Sequence, residues 1–113
     1  MTPDKRTVLE SYLRDGETHI VIDATQPGVC VPRERENDPQ LILKISYRYE
    51  GRDLVIDTFG ISCTLSFNHS SFYVRIPWAA LFLVGRGDRF ASWPRPEAPP
   101  LITKRRGTLG LVN

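Results

Sequence analysis

The apolar positions keep a helical spacing only at the start of the chain. Val8, Leu9, Tyr12 and Leu13 recur at intervals that put them on one side of a helix. Thr2-Pro3-Asp4 has the composition of a helix start, with Thr able to cap, Pro suited to the first helical position and Asp complementing the positive end of the dipole. Gly16 is a natural stop. A helix of about 13 residues is marginal alone, so the stripe has to pack on something. The candidates are the chain's own sheet and a second copy of the chain.

From His19 onward the pattern is that of strands. His19-Ile20-Val21-Ile22-Asp23-Ala24 is rich in β-branched residues, and Gln26-Pro27-Gly28 is a turn in which Pro sets one backbone angle and Gly permits the next. Asp23 reads as a side-chain acceptor for the turn at Thr25–Gly28. Val29-Cys30-Val31 is a short strand closed by Pro32, and residues 33–39 form a charged loop. Residues 40–47, 53–57 and 61–67 read as further strands, with Gly60 blurring one boundary. The polar turn Asn68-His69-Ser70-Ser71 then leads into a partner strand at 72–76. Pro77-Trp78-Ala79-Ala80-Leu81-Phe82-Leu83-Val84 begins with proline and continues with good helix formers, which predicts a short buried helix. About five or six short strands with no room for crossovers make the chain mainly β and antiparallel. A sheet this small has to bend on itself, as a barrel or sandwich, or to pack against the helix.

Composition shifts at Ala91. Residues 94–100 hold four of the nine prolines, which favours an extended, solvated segment. Lys104-Arg105-Arg106 and the apolar tip Leu109, Leu111 and Val112 follow. The net charge of +2 hides an asymmetry: residues 1–90 carry 11 basic and 12 acidic side chains, residues 91–113 carry four and one. A basic tail on a near-neutral body argues against a nucleic-acid binder, whose positive stripe belongs on the fold. An apolar tip on a linker suits docking in a partner's groove. A spacer over 94–108 reaches roughly 45 Å when extended, at about 3.1 Å per residue.

Catalytic and metal constellations are missing from the pattern. His69, Ser70 and Ser71 could supply a nucleophile and a base, but no third, orienting group is identifiable and turn formation explains them. The two cysteines, Cys30 and Cys63, have no metal-ligand or redox spacing and are expected as buried reduced thiols. No metal or cofactor is therefore expected, nor an enzyme. No apolar run approaches a membrane span and the N-terminus has no signal-peptide core, so a cytoplasmic location is the default expectation.

Thr18-His19-Ile20-Val21-Ile22-Asp23-Ala24-Thr25-Gln26-Pro27-Gly28-Val29-Cys30-Val31-Pro32 closely resembles the start of the globular domain in the stringent starvation protein B (SspB) family, the bacterial adaptors of the ClpXP protease. The likeness continues through residues 40–46 and resumes from Ile61 to Val84, including Phe67 and Ile76-Pro77-Trp78-Ala79-Ala80. The resemblance implies an Sm-like, strongly bent antiparallel sheet over 18–93 that binds ssrA-tagged proteins. It implies an N-terminal helix over 1–17 that forms a homodimer through Val8, Leu9, Tyr12 and Leu13. Peptide binding would fall to Cys63, Thr64, Leu65, Ser66, Phe67, Asn68 and His69. A flexible linker over 94–108 would lead to a docking peptide for the ClpX N-terminal domain at 109–113. Arg106, Leu109, Gly110, Leu111 and Val112 match that peptide. Leu65 stands where a small residue is expected and Asn68-His69 where glycines are common, so the groove would be narrowed or reshaped. The spacer is also shorter than is common. The alternative is a small Sm-like RNA-binding protein, which exposed aromatics at Tyr47, Tyr49, Phe72 and Tyr73 would favour.

Overall fold

The computed structural model describes residues 4–47 and 53–96. An N-terminal helix α1 (Lys5–Asp15) is followed by seven strands: β1 (Thr18–Ile22), β2 (Leu41–Ile45), β3 (Val55–Ile56), β4 (Gly60–Phe67), β5 (Ser70–Pro77), β6 (Leu81–Arg86) and β7 (Arg89–Ser92). They form two antiparallel sheets, one in the order β2-β1-β6-β7 and one in the order β3-β4-β5. Among the described residues neither sheet closes on itself. The connection between β1 and β2 is tied to β5 of the second sheet by backbone bonds: the Cys30 N–H donates to the Arg75 carbonyl at 2.8 Å and the Arg75 N–H to the Cys30 carbonyl at 3.1 Å. No helix among the described residues is long and apolar enough to cross a membrane.

The helix begins two residues later than the Thr-Pro-Asp pattern suggests. Asp4 is the cap, and its carboxylate accepts from the Thr7 N–H at 3.0 Å and from the Thr7 hydroxyl. Gly16 ends the helix as expected, at φ 140°. Leu9 and Leu13 are taken into the chain's own core, at 0% and 2% exposure. Their assignment to a dimer contact is therefore corrected: the apolar stripe packs on its own sheet. Val8 and Tyr12 remain half-buried, and the Arg89 guanidinium lies 4.8 Å from the Tyr12 ring centroid.

One core joins the layers. Ile20, Ile22, Leu41, Leu43 and Ile45 face it from the first sheet, Ile61, Cys63, Val74 and Ile76 from the second, each at alternate positions along its strand. The segment expected as a helix over 77–84 is instead a 3-10 turn at Trp78–Ala80 followed by strand β6. Three residues suffice for a 3-10 turn, whereas an α-helix needs a longer nucleus, and β1 needs a partner on its second side. The register of β1 on β6 skips Phe82 between Leu81 and Leu83, so Phe82 is the extra residue of a β-bulge. It is 7% exposed and roofed by Arg95, whose guanidinium sits 4.4 Å from its ring centroid.

Both tight hairpins use two-residue turns. Asn68 and His69 have φ of 52° and 70°, the type I′ signature, so the turn is shorter than the four residues expected. Gly87-Asp88 joins β6 to β7, with Gly87 at φ 63°. The strand β7 was not expected from the sequence, although Gly-Asp between a β-rich run and Phe90 carries its turn signal. Cys63 is buried, but Cys30 is exposed, which corrects the expectation of two buried thiols. Cys30 sits on the β1–β2 connection, where its backbone is used and its side chain is not.

Candidate functional site

Among the described residues, the second half of β4 has an open side. The strand β3 pairs with β4 only at Val55↔Ser62 and Ile56↔Ile61. From Cys63 to Phe67 no strand among the described residues pairs with β4 opposite β5. The direction of its free groups follows from the ladder. Arg75 turns its N–H and carbonyl outward to Cys30, so its partner Ser62 points its own groups away from β5. The Gly60 carbonyl, two residues earlier, accepts from the Asp57 N–H at 3.0 Å on that same side. The two-residue alternation carries this to Thr64 and Ser66, whose backbone groups face the open side.

Across that opening lies β2, the edge strand of the other sheet. Between the two is a groove of about 360 Å³ lined by Arg35, Ile42, Leu43, Lys44, Leu65, Ser66, Phe67 and Asn68. Its floor is apolar, because Leu43, Leu65 and Phe67 reach it from the core side. Ile42 is 58% exposed on its wall. A second hollow of about 310 Å³ continues past Phe67 along Pro32, Arg33, Glu34, Ser70, Ser71 and Phe72. Phe67 is thus the divide, held edge-on against Phe72 with ring centroids 6.4 Å apart. A larger hollow of about 520 Å³ against His19, Leu83 and the β6–β7 turn has all its walls on one sheet.

The structure divides the seven residues expected to bind peptide. Leu65, Ser66, Phe67 and Asn68 line the groove together. The Cys63 side chain does not reach it, being fully buried in the core. Thr64 turns its hydroxyl to Asp53, and His69 stands exposed at the turn and does not line the groove. The docking residues Arg106, Leu109, Gly110, Leu111 and Val112 lie outside the described residues, as does Tyr49. Tyr47, in the turn after β2, and Tyr73, on β5, are exposed at 44% and 50%, while Phe72 is engaged by Phe67.

Arg35, Ile42, Leu43 and Lys44 were not expected in the site. For β2 a signal was present: Leu41-Ile42-Leu43-Lys44-Ile45 alternates buried and exposed with an isoleucine on the wet side. For Arg35 there was none, since only folding brings its guanidinium to 5.6 Å from the Phe67 ring centroid. The loop that carries Arg35 is pinned by Asp23. That carboxylate, 5% exposed, accepts from the Thr25 N–H, the Thr25 hydroxyl and the Gln26 amide, as expected of a turn acceptor. The Ala24 N–H then reaches the Asp38 carbonyl at 2.9 Å. Burial by itself would raise the Asp23 pKa. The bonds from Thr25 and Gln26, with the charge of Arg95, outweigh that and bring it below its ordinary value.

The last described residues lie beside the start of β2. Trp93 is 9% exposed and Arg95 donates to the Pro39 carbonyl at 3.0 Å and to the Gln40 side chain at 3.2 Å. These contacts hold Arg95 on the body, and residues 97–108 of the linker expected over 94–108 lie outside the described residues. Among the described residues no three His, Cys, Asp or Glu side chains gather as a metal ion would require. No family model matches the chain, and no curated protein matches it.

Proposed function

We propose that this chain is a peptide-binding adaptor of the stringent starvation protein B type, which captures ssrA-tagged proteins and presents them to ClpXP. The observation that carries the proposal is the groove between β2 and the unpaired half of β4, lined by Leu65, Ser66, Phe67 and Asn68. An extended peptide entering it meets the outward-facing backbone groups of Thr64 and Ser66, which no strand among the described residues pairs, and an apolar floor, which is how strand addition combines affinity with side-chain selection. In this reading the two sheets are halves of one strongly bent, Sm-like sheet. Residues 97–113 hold the tail, with Leu109-Gly110-Leu111-Val112 as the part that engages the ClpX N-terminal domain. A weak contact at each end suffices, because tethering raises the local concentration of the second partner. A homodimer, if formed through the helix, would use its half-buried side at Val8 and Tyr12. The adaptor makes and breaks no bond, and works in the compartment of its protease, the cytoplasm.

The test is a titration of the full chain with fluorescent ssrA-tag peptide, paired with a degradation assay. Deleting Leu109–Asn113 should leave the tag Kd within about twofold and abolish stimulation of ClpXP degradation. Ser66→Pro should weaken tag binding by about tenfold or more without unfolding the protein, since it removes a donor that faces the groove and not β5. Equal stimulation with and without the tip, or an unchanged Kd in Ser66→Pro, would defeat the proposal.

A further inference from the structure

We infer that the groove selects an extended peptide segment by its acidic side chains, and that Arg35 and Lys44 set the preference. This rests on the peptide-binding reading of the groove and adds the chemistry of its occupant. Among the described residues the lining contains two cations and no carboxylate. Arg35 is half-buried at the mouth, with its guanidinium over the Phe67 ring, and among the described residues no carboxylate lies within ion-pair distance of it. A cation parked over an aromatic ring at the edge of an apolar floor has lost part of its hydration and gained no counter-charge.

Lys44, on the opposite wall, is 3.8 Å from Glu17, a long contact with both side chains about half exposed. Such a pair is weak enough for a ligand carboxylate to compete with it. The acids on the Arg35 loop do not fill the gap: Glu34 lines the neighbouring hollow, Glu36 is exposed and makes no ion pair among the described residues, and the Asp38 carboxylate accepts from the Gln40 N–H. Arg35 and Lys44 thus stand on either side of a strip where a peptide strand would run, and strand geometry sends alternate side chains toward opposite sides. The chain's own tail is a poor occupant, because Lys104-Arg105-Arg106 would carry like charge toward the same cations.

The experiment uses the full chain and three labelled synthetic decapeptides read by fluorescence anisotropy. The first alternates Ala and Val with Asp and Glu. The second is its isostere with Asn and Gln, and the third is residues 104–113. At about 50 mM salt the acidic peptide should bind about tenfold tighter than the isostere, and this ratio should fall severalfold at about 300 mM. Arg35→Gln should bring the ratio close to one while leaving the isostere's Kd within about twofold, and Arg35→Lys should restore most of it. Equal binding of acidic and neutral peptides would overturn the inference and leave the peptide groove standing. Tighter binding of 104–113 than of the acidic peptide would assign the groove to the chain's own tail and overturn it as well. Failure of all three, and of the tag peptide, would remove both the groove and the inference.

Discussion

Asp23 shows how much one side chain can organise. Its three accepted bonds hold the turn from Thr25 that leads to Cys30, Arg35 and β2. The Asp23→Asn variant should lose about 1–2 kcal/mol at neutral pH, measured by urea unfolding, since one oxygen becomes a donor facing donors. The pH dependence follows from the lowered pKa. The folded state favours the carboxylate, so its contribution is complete above the unfolded value of about 3.9 and is lost as pH falls through the lower folded value. Wild-type and variant stabilities should therefore converge at the acid end. Two glycines make a matched pair at the same scale. A Cβ at Gly60, φ 153°, would overlap the Ile76 carbonyl, so Gly60→Ala should cost several kcal/mol or prevent folding. Gly87 has open space around it at φ 63°, so Gly87→Ala should cost only about 1 kcal/mol, the left-handed penalty. Similar losses in thermal denaturation would contradict this distinction.

Among the elements, the β4–β5 hairpin is built on a turn that asks two side-chain-bearing residues to take positive φ. Asparagine does so readily and histidine less so, whereas Asn-Gly is the preferred pair. His69→Gly should raise stability by several tenths of a kcal/mol up to about 1, and a loss would mean that His69 makes contacts the turn geometry does not reveal. The segment after Pro77 is the instructive failure of local reading. Trp78, Ala79, Ala80 and Leu81 all tolerate a helix, yet only Trp78–Ala80 turn, and the rest extends as β6. Propensities differ by tenths of a kcal/mol per residue, whereas β6 supplies the second side of β1 and places Leu81 and Val84 in the core. Helix α1 shows the opposite case. Its stripe was legible, but the stripe by itself could not distinguish its own sheet from a partner, and Leu9 and Leu13 went to the former.

For the whole molecule, the boundary between body and tail is the consequential feature. Trp93 closes the core and Arg95 ties the chain to Pro39 and Gln40, so a chain ending at Ser92 should be markedly less stable than one ending at Pro96. A difference of about 2–4 kcal/mol is expected from the loss of a buried Trp and its roof over Phe82, read as a shift in urea midpoint. Equal midpoints would show that the body is complete at Ser92.

Several features were decided by the residues alone. Alternation in Leu41–Ile45, β-branching in Thr18–Ile22, and the stops at Gly16, Pro27-Gly28 and Asn68-His69 act over a few residues and depend on backbone sterics, so a mainly β, antiparallel chain with one leading helix was legible. The strand holding half of the groove lining was legible for the same reason. What only the tertiary structure decided involves residues far apart in sequence: Arg35 over Phe67, the side of β4 that faces β2, the helix stripe taken by its own core, and the division into two sheets with the β1–β2 connection bridged to β5 through Cys30 and Arg75. Local pattern says which face of a strand is apolar. It does not say which edge is left unpaired, because an edge is defined by the absence of a neighbour, and neighbours are assigned only when the whole chain competes for them.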